Sequence, residues 1–409
     1  MGLIVQKFGG TSVGDLDRIR NVAKKVAKTY DEGHDVVVVL SAMSGVTDGL
    51  IAMAKKIDEM PDKRELDVLL STGEQTTVAI LAMILKTMGY KANSLLGFQA
   101  DIRTDRMSGS ARIQSIGAER IRNMLRERTI AVVAGFQGHD DFGNITTLGR
   151  GGSDTSAVAI AAAIGADICE IYTDVDGVYT TDPNMCKKAR KLSKVSYDEM
   201  LEMASLGAKV LQIRSVAFAK KFNVPVHVRS SFNEEEGTMV VNEDADMERL
   251  VVSGVTYNRN EARITLKNVK DEPGIASKIL APVADAGIVV DMIIQNTRAS
   301  GLTDFTFTVP KTDFKQAMEI QKELSKMIGA EDVIGDDNIA KVSVIGVGMK
   351  NHSGVATKMF QTLATENINI IMISTSEIRI SCIIDEKYTE LAVRSLHTAF
   401  GLDAEAKVE

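Results

Sequence analysis

The amino-acid sequence predicts an α/β fold with a largely parallel sheet, followed by a smaller duplicated module. Three observations carry this: nearly continuous apolar runs alternate with amphipathic stretches in the first half, polar and glycine-rich segments gather just beyond those runs, and the C-terminal portion repeats itself. Short apolar runs are expected where helices cover both faces of a parallel sheet, and such sheets bind ligands beyond their strands' carboxyl ends.

Leu3, Ile4 and Val5 open a strand that runs into Gln6, Lys7, Phe8, Gly9, Gly10, Thr11 and Ser12 before a helical segment begins. Two glycines permit a tight turn and let an anion approach backbone N–H groups, while Lys7 adds a point charge. The lysine precedes the glycines, which excludes a Walker A loop, where it follows them. Residues 36–40 form a second strand that ends at Ser41, and residues 130–134 repeat the arrangement, ending at Gly135 and Phe136. Residues 168–172 lead directly into Thr173 and Asp174, and residues 224–228 supply a further strand. The small apolar stretch 157–163 predicts a helix packed closely on the sheet. Acidic, glycine-bearing stretches at 233–237 and 242–246 read as a linker closing the first domain near residue 245, or as a solvated loop within it.

Beyond that point residues 270–278 match 350–358, 280–284 match 360–364, and 287–293 match 367–373. Strands are predicted to enter each copy at 262–266 and 340–345 and to follow at 303–309 and 378–384, with helices at 314–327 and 386–400. Each copy reads β-α-β-β-α, completed by one more strand. A duplication without catalytic side chains suits ligand binding or assembly.

At 409 residues the chain has room for two or three domains with substantial cores. A formal charge of -7 gives no electrostatic footprint for nucleic acid, and 5% aromatic residues without tryptophan make a poor stacking platform for bases or sugars. Cys169, Cys186 and Cys382 cannot form a paired disulfide framework and lack metal-ligand spacing. The opening residues lack a basic segment followed by an apolar run, and the apolar runs are strand-length, so a cytoplasmic protein without membrane spans is expected.

Four polar segments can be gathered by a parallel sheet: the lysine loop, Ser41 with Thr47, Glu74, and the run from Gly149 through Arg150, Gly151, Gly152, Ser153 and Asp154 to Ser156. Glu74 stands near the start of a predicted helix over 75–85, where it could bind an ammonium group or cap the helix. The glycine-arginine run precedes the apolar helix, so its amides and the Arg150 fork suit a carboxylate or phosphate, with an ordinary N-cap as the plainer reading. Asp154 would orient Lys7 or hold a substrate cation. Thr173, Asp174, Tyr179 and Asp182 belong to a loop without EF-hand periodicity; an acidic loop facing anion sites suits a nucleotide with magnesium. Lys209 could reach the same phosphates or be a solvated surface lysine. His139, in a glycine-acid loop, has no serine-acid partners for a triad.

With these segments assembled, the chain resembles the aspartate kinases of the amino-acid kinase family over essentially its whole length. The carrying motifs are residues 7–12, 149–155, 173–179 and the late stretch 374–381, in family order. The resemblance implies a three-layer αβα sandwich over 1–245 and two ferredoxin-like ACT regions at 246–335 and 336–409, which can be interleaved. It implies transfer of the ATP γ-phosphoryl group to the side-chain carboxylate of L-aspartate, with Mg2+ carried mainly by the ATP phosphates and no dedicated metal site. Lys7, Gly9, Gly10 and Asp154 are then catalytic. Ser41, Thr47, Glu74, Arg150, Gly151, Gly152 and Ser153 hold aspartate, and Lys7, Phe8, Gly9, Gly10, Thr173, Asp174, Tyr179, Asp182 and Lys209 hold ATP. Lysine and threonine are the implied effectors, at Asp271, Gly274, Ile275, Ala276, Asp291, Gln295, Val355, Ala356, Asn369, Ile370, Glu377 and Ile378. A homo-oligomer through the ACT regions is implied, with Met247 either an internal start for a shorter subunit or an ordinary methionine. The competing readings are another small-carboxylate amino-acid kinase and an inactive amino-acid-sensing protein.

Overall fold

The computed structural model describes residues 2–206, 210–297 and 301–404. The chain forms two compact units, one of Met1–Tyr179 with Lys191–Met247 and one of Thr180–Arg190 with Glu248–Glu409.

The first unit is built on an eight-stranded sheet in the order Lys194–Ser196, Thr238–Val241, Val226–Ser230, Ile168–Thr173, Leu3–Phe8, Asp35–Leu40, Ile130–Ala134, Ala92–Leu95. Every neighbouring pair is parallel except Val226–Ser230 with Thr238–Val241. Residues 36–40 and 130–134 are buried throughout, which is why they read as continuous apolar runs. Helix Leu16–Asp31 is capped by Asp15, whose carboxylate accepts from the Arg18 amide at 2.8 Å, and it buries Ile19, Val22, Ala23, Val26 and Ala27 in one stripe.

The acidic stretch 233–237 takes the second of its two readings, a loop inside this unit, because Thr238–Val241 returns antiparallel to Val226–Ser230. Two local expectations are corrected. The helix around Glu74 begins at Lys63, capped by Asp62, and runs to Thr87, so Glu74 lies in its interior and caps nothing. His139 ends a short strand, Gln137–His139, within a second sheet of Ile113–Ile116, Ile102–Thr104, Gln137–His139 and Ile145–Thr147. Helix Lys63–Thr87 is long and apolar enough to cross a membrane by composition, but half of its apolar window is buried in the unit, as befits a core helix.

The second unit is one antiparallel sheet in the order Ile293–Thr297, Leu302–Val309, Gly254–Lys270, Asp332–Ile345, Arg379–Asp385, Met372–Thr375. Its two central strands are 17 and 14 residues long, and each serves both repeats. Residues Arg263 to Lys267 pair with Asp332 to Asp336, whereas Gly254 to Asn258 pair with Lys341 to Ile345. Val252 and Val255 accordingly lie in the core of the second repeat with Val355, Met359 and Leu396. Helices Ile275–Asp285 and Val355–Thr365 start alike: Gly274 and Gly354 each take φ 94°, a left-handed conformation that glycine adopts without Cβ strain. The excursion Thr180–Arg190 is built into this unit: Thr180 Oγ1 meets His397 Nε2 at 2.9 Å, Met185 joins the second repeat's core, and its carbonyl accepts from Arg394.

Candidate active site

Strand register delivers Lys7 to the carboxyl end of Leu3–Phe8, between Val39 and Ile171, and the same face carries helix Gly152–Ile164. The Lys7 ammonium lies 2.5 Å from Asp154 Oδ1, with both side chains about 10% exposed. A buried cation is stabilised by such a partner and keeps further N–H donors for an anion. The turn after the strand is held on both sides: the Gly9 amide donates to the Tyr172 carbonyl and the Ser44 amide to the Gly10 carbonyl, both at 3.2 Å. A Cβ on Gly10 would stand 3.0 Å from the Ala42 carbonyl oxygen, so the two loops meet backbone to backbone. Phe8 stacks on Tyr172, with ring centroids 4.6 Å apart.

Helix Lys63–Thr87 supplies the acidic side. Glu74 Oε1 accepts from the Ala42 amide at 2.9 Å, while Oε2 is buried without a partner. Burial pushes the Glu74 carboxyl up to about 7, against the pull of the Ala42 amide. A methyl on Gly73 would stand 2.7 Å from Ala42 Cβ, which explains a glycine in mid-helix: the helix must close on the Ser41 loop. Ser41 is half-buried, its carbonyl accepting from Thr77 Oγ1, and Thr47 lies half-buried in the first turn of Val46–Lys55.

The glycine-arginine run is held from two directions. Gly151, at φ 69°, is the N-cap of Gly152–Ile164, and a Cβ there would stand 2.4 Å from Gln212 Cγ. The Gly152 and Asp154 amides turn onto the Gly149 and Gly151 carbonyls, and Ser153 is buried beside Gly135. Arg150 is exposed and makes no ion pair among the described residues.

Two residues of this site escape sequence reading. Asp67, fully buried one heptad before Glu74, accepts from the Gly109 amide at 3.0 Å, the Thr147 amide at 3.1 Å and Thr147 Oγ1 at 2.6 Å, anchoring the strand that leads to Arg150. Its carboxyl is raised by burial although these donors lower it. Two acids seven apart on one apolar helix were the available signal. Phe136 adopts φ 67°, where bulky residues are strained, with its amide on Ser156 Oγ and its carbonyl accepting from Leu148. No sequence pattern announces that conformation.

Thr173 ends strand Ile168–Thr173 and Asp174 follows it, and Tyr179 donates to Asp176 at 2.8 Å. Asp182 belongs to the second unit, where its carboxylate accepts from the Tyr257 hydroxyl at 2.9 Å. Lys209 lies outside the described residues. Among the predicted effector residues, Asp271 accepts from the Gln295 side-chain amide at 3.2 Å, close to the helix that starts with Ile275 and Ala276. In the second repeat Val355 and Ala356 begin the equivalent helix, Asn369 and Ile370 precede strand Met372–Thr375, and Glu377 and Ile378 precede Arg379–Asp385. Among the described residues no group of three His, Cys, Asp or Glu side chains could hold a metal ion.

A parallel sheet with a buried lysine beside a glycine turn, joined to two β-α-β-β-α repeats, is the make-up of an amino-acid kinase under ACT-domain control. The amino acid kinase family model matches residues 2–230, and ACT domain models match 263–326 and 342–400. The chain is 57% identical over 407 residues to the aspartate kinase Ask_LysC of Stutzerimonas stutzeri, covering 99% of each. It is 52% identical over 405 residues to the aspartokinase of Helicobacter pylori, covering 98% of this chain and 100% of that one. The solved structure of E. coli aspartokinase III with aspartate and ADP is similar at TM-score 0.80 and 26% identity, over 97% of this chain and 99% of that one. The same enzyme with lysine and aspartate superposes at 0.78. The chain belongs to the aspartate kinases of this family. It transfers a phosphoryl group from ATP to L-aspartate, giving 4-phospho-L-aspartate, under feedback control.

Proposed function

We propose that Lys7 and the Gly9–Gly10 turn stabilise charge on the transferred phosphoryl group while Asp154 orients the lysine. The acceptor is already an anion, so positioning and neutralisation matter more than a base. The observation that carries the substrate side is Glu74 Oε2, a buried carboxylate oxygen without a partner. An ammonium group satisfies both its charge and its hydrogen-bonding deficit. Ser41 and Thr47 hold the accepting carboxylate, and Arg150, with the amides from Gly151 to Ser153, takes the α-carboxylate. Thr173, Asp174, Tyr179 and Lys209 line the nucleotide, with Mg2+ carried on its phosphates. An acceptor panel coupled to ADP formation, titrated with Mg2+, tests this. Aspartate alone should support turnover, and equal turnover with glutamate would overturn the assignment of Glu74 and Arg150 as a matched pair.

The ACT repeats are the effector sensor, and they mediate assembly into a cytoplasmic homo-oligomer. Lysine and threonine are the effectors, acting together; the complex of E. coli aspartokinase III with lysine supports lysine in that role. Initial rates with each amino acid and with both decide it: inhibition by the pair no greater than the product of the separate effects excludes concerted control. A shorter subunit beginning at Met247 would appear as a second band recognised by an antibody to the C-terminus and would vanish on Met247→Leu.

A further inference from the structure

The second unit buries a lysine that catalysis does not use. Lys341, on Asp332–Ile345, has a side chain only 4% exposed; its ammonium lies 2.7 Å from Glu261 Oε1 and also pairs with the Asp291 carboxylate. Glu261 is as deeply buried, whereas the Asp291 side chain is 42% exposed. Glu261 is further held by the Asn258 side-chain amide at 3.0 Å and by the Thr308 hydroxyl. Lys341 stands opposite Ile383 in the sheet, beside the small apolar cluster of Met292, Ile339, Met372 and Ile383. That cluster joins the two repeats, Met292 coming from the first and Ile383 from the second; the ion pairs do the same, with Asp291 from the first and Lys341 from the second.

The three groups do not balance. Two ionised carboxylates and one ammonium carry a net charge of about -1, and burial pushes the Glu261 carboxyl up, so the charge is held most easily on Asp291. Asp291 is the exposed member, so the uncompensated charge faces solvent there. A ligand ammonium docking on Asp291 turns the triad into two neutral pairs, Lys341 with Glu261 and the ligand with Asp291. Such docking requires Lys341 to give up Asp291, and Glu261 is the partner that remains to it.

We infer that Lys341 and Glu261 set the affinity of the first repeat for the ammonium group of its amino-acid effector, Lys341 by competing for Asp291 and Glu261 by holding Lys341 back. This rests on the reading of Asp291 as an effector ligand. The two residues oppose each other, so their substitutions have opposite signs. Lys341→Met removes the competitor and should tighten binding about tenfold; Glu261→Gln commits Lys341 to Asp291 and should weaken it about tenfold.

Calorimetric titration of the full-length enzyme with L-threonine and with L-lysine reads both shifts. General loosening of the fold would weaken binding in both variants, so opposite shifts support the inference, and same-sign shifts or changes under about twofold overturn it. Glu261→Gln is isosteric and decides the matter if Lys341→Met does not fold: unchanged affinity in that variant alone overturns the inference. If the unsubstituted enzyme binds neither amino acid, the sensor reading itself fails. If it binds one and the variants misbehave, only the role of Lys341 and Glu261 falls.

Discussion

Each compact unit buries a lysine against carboxylates, and the two are set up for opposite ligands. Lys7 sits at the rim of a parallel sheet with one carboxylate 2.5 Å away, a neutral pair beside a glycine turn. Lys341 sits inside an antiparallel sheet between two carboxylates, with negative charge left over. A neutral pair with spare donors favours an incoming anion, whereas an acid-rich triad favours a cation. The contrast follows from topology. Parallel strands end together and gather loops at one rim, while antiparallel strands bring side chains from two repeats face to face in mid-sheet.

The largest effect expected is on the anion side. Lys7→Ala should lower kcat about 10²–10³-fold with little change in the KM for aspartate; near-normal turnover at saturating substrates would erase the distinction between the two lysines. Glu74→Gln should raise the KM for aspartate about 10–100-fold and leave kcat less affected. Its pH signature sharpens the point. Burial pushes the Glu74 carboxyl up to about 7, and only its ionised form attracts an ammonium. kcat/KM for aspartate should therefore climb as pH rises through 7 and level off above it, a limb that Glu74→Gln lacks.

Asp67→Asn should lower kcat/KM for aspartate about tenfold through slackening of the Thr147 to Arg150 segment, while the KM for ATP holds. An equal rise in both KM values would mean general unfolding of the site. The smallest effect is on stability. The raised Glu74 carboxyl favours the folded state fully below its ordinary value of 4.5 and loses that contribution as pH rises through 7. Glu74→Gln should then be more stable than the parent at pH 8, by about 2 kcal/mol, with the advantage shrinking toward pH 5. Thermal unfolding at the two pH values reads the difference.

The contrast also explains what could be read from the chain beforehand. Strands around residues 36–40 and 130–134 announce themselves because both faces are buried, and the motifs at their ends fall at one rim for the same reason. The four-stranded second sheet does not, since Ile102–Thr104, Gln137–His139 and Ile145–Thr147 are too short to show a period. Glu74 reads as a helix terminus because Ser71, Thr72 and Gly73 precede it; helix packing against Ala42, a tertiary fact, keeps that polar stretch helical. The shared long strands of the second unit are equally hidden, because Gly254 to Asn258 pair with Lys341 to Ile345, far along the chain.

The excursion Thr180–Arg190 has a consequence for any polypeptide that starts at Met247. Such a fragment would carry both repeats and the full antiparallel sheet, yet it would lack Met185, which helps fill the second repeat's core, and Thr180, the hydroxyl partner of His397. His397 would be left as a buried imidazole with both ring nitrogens unsatisfied, since Nδ1 is already without a partner. A free-standing small chain would thus have a hole shaped like a peptide, and would hold its fold best where a neighbour or its own rearranged N-terminus plugs it.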